Sequence, residues 1–135
     1  MPSAIVLDAS VLGEFVLDPS SNPSLDELIR SEGCEIFIPH LCDVEVASGF
    51  RSRIARGAME AARASEALEH FVGLPLHRVG HVPLLSRILS LRDNFSAYDA
   101  TYVALAESLG APLYTADLRL ARAVREHTEV EVVEV

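Results

Sequence analysis

Short apolar runs alternate with helical segments along the whole chain, and this alternation restricts the fold more than any other feature of the sequence. The runs are AIVL (4–7), EIFIP (35–39), LPLHRV (74–79), PLYT (112–115) and EVEVVEV (129–135). Between them, apolar spacing and capping signals predict helices over 11–17, 25–33, 41–56, 58–72, 82–92, 97–109 and 118–126. Strands separated by helices point to an α/β fold in which a parallel sheet is covered on both faces. Such open sheets bind ligands in the crevice beyond the carboxyl ends of their strands, so the residues that follow each strand are the first place to look for chemistry.

The punctuation agrees with that reading. Ser10 is the expected N-cap of the first helix, and Ser24 with Glu27 forms a capping box for the second, which Gly33 stops. Ser96 precedes the helix that Gly110 and Pro112 end. At 135 residues the length suits one domain spanning 1–135, and neither repeats nor low-complexity linkers interrupt it.

Four carboxylates fall where this architecture aims side chains at one crevice. Asp8 follows the first strand directly and Asp117 stands two residues after the threonine that ends PLYT. Asp99 lies in the first turn of the helix after Ser96, and Glu45 lies on the helix that follows the second strand. Brought together, such acids would repel one another and rise in pKa unless a cation neutralised them. Hard divalent ions prefer oxygen ligands, and Mg²⁺ takes one or two carboxylates together with waters and substrate phosphates. The physical reading is a Mg²⁺ or Mn²⁺ site for phosphodiester chemistry. Each acid also has a purely structural role available: Asp99 completes an S-x-x-D box, and Asp117 or Asp8 can cap a helix. Asp43 competes with Glu45, but two helical residues two apart point roughly 200° apart. Glu45 keeps the small residues Ser48 and Gly49 on its side, so Asp43 reads as a cap.

Composition removes several rivals. All 11 basic residues are arginine, so no lysine serves as a Schiff-base amine, a P-loop phosphate ligand or a receiver-domain partner. A D-x-D phosphatase motif is absent, since Asp8 is followed by Ala9 and Ser10. The five histidines are read as structural or surface residues: Gly80 breaks the helical geometry that an i, i+4 pair of His77 and His81 would need. Cys34 and Cys42 are too few for a disulfide framework or zinc site and read as small buried hydrophobes. With no basic residue before Arg30, the N-terminus does not match a signal peptide, and no run approaches the roughly 18 apolar residues of a membrane helix. The expectation is a cytoplasmic protein with no membrane partner.

The segments IVLDASVL, IPHLCDVEVASGFR, FSAYDATYVALAESLGAPLYTAD and LRLARA, in this order and spacing, resemble the PIN-domain ribonucleases, in particular the VapC-type toxins of bacterial toxin–antitoxin pairs. The resemblance runs from about residue 4 to the C-terminal strand, and S-A-Y-D-A-x-Y-x-A-L-A-E followed by T-A-D is its most specific part. It implies a three-layer α/β/α sandwich with a central parallel sheet. It also implies Mg²⁺- or Mn²⁺-dependent endoribonuclease activity, and a homodimer neutralised by a cognate VapB-type antitoxin, with which it forms a hetero-oligomer. The family's metal-binding acids fall on Asp8, Glu45, Asp99 and Asp117, and its supporting hydroxyls on Ser10 and Thr115. Residues 18–32 and 56–92 carry no matching signature. Two other readings stay open: a PIN-fold nuclease acting in RNA processing or on structured DNA, and a catalytically silent binding module.

A net charge of -9 opposes general nucleic-acid affinity. Yet four of the acids belong to one proposed pocket, and seven of the 11 arginines cluster in 51–63 and 119–125. Arg51, Arg53, Arg56, Arg119 and Arg122 are therefore candidates for lining an RNA path, through the bidentate fork that suits phosphate.

Overall fold

The computed structural model describes residues 2–135. Strand β1 (Ala4–Leu7) leads into α1 (Ala9–Leu17), and α2 (Pro23–Arg30) precedes β2 (Glu35–Pro39). Two helices, α3 (His40–Ala55) and α4 (Ala61–Val72), come before β3 (Leu76–Val79). A 3₁₀ turn at Val82–Leu84, α5 (Leu85–Ser90) and α6 (Ala97–Leu109) lead to β4 (Leu113–Thr115), and α7 (Leu118–His127) leads to β5 (Val132–Glu134).

The five strands form one all-parallel sheet in the order β3-β2-β1-β4-β5. The central β1 is buried along Ile5, Val6 and Leu7 without alternation, as a parallel strand covered on both faces must be. The chain first steps from β1 outward to β3, then returns to lay β4 on the other side of β1. Right-handed crossovers in those two directions carry α1–α4 over one face and α5–α7 over the other, which is the α/β/α sandwich expected. Their cores meet on the sheet: α6 packs on β1 and β2, while α1 packs on α3 and α4. The reversal creates a switch point between β1 and β4, where Leu7 stands in register with Tyr114 and the Asp8 N–H donates to the Tyr114 carbonyl at 3.2 Å.

Several local expectations change in the structure. Asp8, not Ser10, caps α1, because its carboxylate accepts the Val11 N–H and the helix starts two residues early. Asn22 replaces the Ser24–Glu27 box: its side chain accepts from Leu25 N–H, and Pro23, with φ preset for a first helical position, starts α2. That helix ends at Arg30, short of Gly33. The stretch 82–92 is a 3₁₀ turn followed by a six-residue helix, and β5 extends only as far as the three-residue β4 can pair with it. Asp43 is no cap; both its oxygens accept from Arg78 Nε, at 2.9 and 3.0 Å, tying α3 to β3. Ser96 and Gly110 hold as caps, Gly110 taking φ 61°, a left-handed conformation that glycine adopts without strain. Both cysteines are buried and free.

Candidate active site

Asp8 is the centre of the site because the sheet delivers it there: it leaves β1 at the switch point and is only 5% exposed. Three donors hold its carboxylate. Ser10 Oγ donates to Oδ1 at 2.5 Å, Val11 N–H to the same oxygen at 3.2 Å, and the Thr115 hydroxyl to Oδ2. Thr115 is fully buried at the end of β4, and its oxygen in turn accepts the Asp117 N–H at 3.0 Å. One hydroxyl thus links the acid after β1 to the loop that carries the acid after β4. Ser10 adds a second link across the same gap, accepting the Ala116 N–H at 3.1 Å. Asp117 itself caps α7, with Oδ1 accepting Arg119 N–H and Leu120 N–H at 3.0 and 3.2 Å.

The other two acids come from helices on opposite faces. Asp99 sits in the first turn of α6, its N–H bound by the Ser96 hydroxyl at 3.1 Å. Glu45 projects from α3 and accepts a short 2.6 Å hydrogen bond from the Tyr102 hydroxyl of α6. Sequence reasoning missed Tyr102. Its signal was its position three residues after Asp99, which puts both on one face of α6. Cys42, three residues before Glu45 on α3, also contacts the Tyr102 hydroxyl, and burial pushes its thiol up to about 12, so it stays protonated.

The four acids share one electrostatic field. Burial raises the Asp8 carboxyl above its ordinary value, hydrogen bonds from Ser10, Thr115 and Val11 oppose this, and Asp117 adds to it. Burial likewise raises Glu45, against the Tyr102 hydrogen bond, with Asp99 and Asp8 contributing repulsion. Asp99 is raised by burial, then by Asp117 and Asp8, and Arg119 partly relieves it. Among the described residues no three acidic, histidine or cysteine side chains close into a finished metal cage. Mg²⁺ needs only one or two direct carboxylates and completes its shell with water. The donor set fits such an ion: it is all oxygen, under-neutralised and half-sheltered from water.

Two expected results follow from these contacts. In EDTA the folded protein keeps protons on Asp8, Glu45 and Asp99 at pH values where the unfolded chain has released them. With more protons on the native state, stability falls as pH rises through the interval between the ordinary carboxylate values, 3.8 and 4.5, and the raised native ones. Thermal melts in EDTA will therefore show a shallower loss of stability on acidification from pH 7 in the parent than in Asp99→Asn; identical pH slopes would contradict it. For Thr115→Val, isosteric but lacking the hydroxyl, cleavage of RNA should fall about 10–100-fold through the disoriented Asp8. Stability should fall by about 1–3 kcal/mol, since the Asp117 N–H and one Asp8 oxygen lose a buried partner. Parental activity in a folded Thr115→Val protein would remove Thr115 from this role.

The arginines divide. Arg53 is bound to Glu14, while Arg51, Arg56, Arg119 and Arg122 are exposed with no ion-pair partner among the described residues. Arg119 lines a hollow of about 270 Å³ with Ser96 and Asp99. A groove of about 360 Å³ runs between α1 and α3, walled by Ser10, Glu45 and Arg53. Gly13 and Gly49 line it, and a Cβ at either would meet nothing within 4 Å. A roomier hollow of about 430 Å³ lies at the amino end of β4 against Glu107, Glu129 and Glu131, away from the switch point. The histidines stay outside the acid cluster: His77 stacks on Phe37 with centroids 4.9 Å apart, and His127 meets the edge of Phe95.

Comparison with known proteins adds to this geometry. Residues 5–126 match the PIN domain family. The chain is 40% identical over 129 residues to the VapC ribonuclease Mb0985 of Mycobacterium bovis, covering 96% of this chain and 98% of that protein. It is 34% identical over 129 residues to ribonuclease VapC12 of Mycobacterium tuberculosis, with the same coverage. Among solved structures, PAE2754 from Pyrobaculum aerophilum superposes with a TM-score of 0.73 at 23% identity, over 96% of this chain and 82% of that one. A chain of VapBC2 from Rickettsia felis, solved bound to a DNA fragment from its promoter, superposes with a TM-score of 0.65 at 12% identity, over 97% and 98%.

Proposed function

Because the chain belongs to the PIN domain family, among the VapC ribonucleases, we propose that it is a divalent-metal-dependent endoribonuclease acting as the toxin of a VapBC-type pair. The observation that carries this reading is the set of Asp8, Glu45, Asp99 and Asp117 at the switch point, tied by the Ser10, Thr115 and Tyr102 hydroxyls and flanked by Arg119 beside Asp99. Mg²⁺ or Mn²⁺ is the proposed cofactor, held by Asp8, Asp99 and Asp117, with Glu45 bound directly or through water. When bound, such an ion polarises the scissile phosphate and lowers the pKa of an attacking water.

The chain's own groups do the rest. Ser10 and Thr115 fix the Asp8 carboxylate by donating to its two oxygens. Thr115 also restrains the Asp117 backbone, so both strand-end acids move as one unit. Arg119, exposed beside Asp99, meets an RNA phosphate at the rim. The groove between α1 and α3 gives a single strand a path past Glu45. No histidine is needed as a base.

The proposed partners are RNA, a second copy of the chain and a VapB-type antitoxin, the last supported by the likeness to VapC ribonucleases and by the shared fold of VapBC complexes. The proposed location is the cytoplasm, where an RNA substrate is met; separately, no helix among the described residues is long and apolar enough to cross a membrane. The test is cleavage of end-labelled RNA by the purified protein. Activity should vanish in EDTA and return with Mg²⁺ or Mn²⁺. Cleavage indifferent to EDTA would refute the metal reading, and no cleavage under any metal condition would favour a silent binding module.

A further inference from the structure

Two helices from opposite faces of the sheet each bring a pair of side chains at i, i+3 spacing to its carboxyl edge, where one hydrogen bond joins them. On α3 these are Cys42 and Glu45; on α6 they are Asp99 and Tyr102. Asp99 belongs to the acid cluster directly. Tyr102, 2% exposed, spends its only O–H on Glu45 Oε1 at 2.6 Å, across 57 residues of sequence.

That contact decides where Glu45 points. Glutamate has three rotatable side-chain bonds, and Asp99 and Asp8 both repel its carboxylate. The groove beside α3, which Gly13 and Gly49 also line, offers it open space. Left free, Glu45 would swing away from the other acids into that groove. A hydroxyl on a buried, two-torsion ring is a rigid donor that holds it back. We propose that Tyr102 is a positioning residue that holds the Glu45 carboxylate toward Asp99 and Asp8 for the divalent ion and keeps it from swinging across the groove that Glu45 lines. This rests on the reading of the cluster as a metal site.

Mn²⁺ binding to the full chain, followed by the solution Mn²⁺ resonance signal, tests it without requiring activity. Tyr102→Phe keeps the ring and removes only the hydroxyl. Its Mn²⁺ dissociation constant should rise about 10–100-fold, as for other groups that orient metal ligands. In a Glu45→Gln background the same change should move the constant less than about 2-fold, because the ligand it orients is already gone. A Tyr102→Phe constant within about 2-fold of the parent's, or an equal loss in both backgrounds, overturns the proposal. A crystal of the parent chain grown with Mn²⁺ tests it even if Tyr102→Phe fails to fold: Glu45 must still accept from Tyr102, and a Glu45 turned into the groove overturns it. A parent that binds Mn²⁺ and cuts RNA while Tyr102→Phe binds equally well condemns only the role of Tyr102, whereas a parent that binds no Mn²⁺ condemns the metal site together with it.

Discussion

Asp99→Asn protein should cut RNA more than ~100-fold more slowly than the parent, a larger loss than the roughly 10–100-fold expected for groups that only orient a ligand. The substitution preserves shape and leaves the backbone N–H of residue 99 bound to Ser96 Oγ, so the start of α6 survives. Losing a carboxylate from the first helical turn costs about 0.3–1 kcal/mol of macrodipole interaction. Removing a charge that Asp117 and Asp8 both repel works in the other direction. The metal-free variant should therefore melt within a few degrees of the parent while being almost inactive. Retained cleavage would remove Asp99 from the site, and inactivity accompanied by a collapse in melting temperature would make its role structural. The separation of the two readouts is what distinguishes a functional carboxylate from a helix cap, the alternative that the S-x-x-D pattern leaves open.

Phe71→Ala should cost about 3–5 kcal/mol, a large part of the roughly 5–15 kcal/mol available to a domain. Phe71 closes the end of α4, is 1% exposed and heads the largest fully buried side chains of the core. The Arg78 guanidinium of β3 lies 5.4 Å from its ring centroid and is itself held by Asp43 of α3. Removing the ring leaves a cavity and takes the support from that tie. Urea unfolding should show a lower midpoint at unchanged slope. Arg78→Ala should cost far less, about 0.2–1 kcal/mol, since the Arg78–Asp43 pair is partly exposed and its worth is set by water more than by the core. A loss below about 1 kcal/mol for Phe71→Ala would mean that α4 repacks without it.

Much of this could be read along the chain, and the exceptions have physical causes. Ser96 and Gly110 are legible because a cap is settled by a few neighbouring residues and the sign of one φ. The α2 start was misplaced because two local caps competed, and Pro23 tipped the choice to Asn22. Asp43 looked like a cap because its true partner, Arg78, is 35 residues away. Arg53 pairs with Glu14, 39 residues back on α1, a contact that no local stretch of sequence shows.

Local sequence alone determined the alternation of strand and helix, and with it the parallel class of the sheet and the four acids that follow or face strand ends. Both rest on short-range physics: apolar periodicity, capping and the right-handedness of crossovers. Only the tertiary structure decided that β4 returns to lie beside β1, so that Thr115 reaches Asp8 across 107 residues and Tyr102 reaches Glu45 across 57. Those contacts depend on strand order and on which helix covers which face, set by burial summed over the whole core and invisible in any one window of the chain.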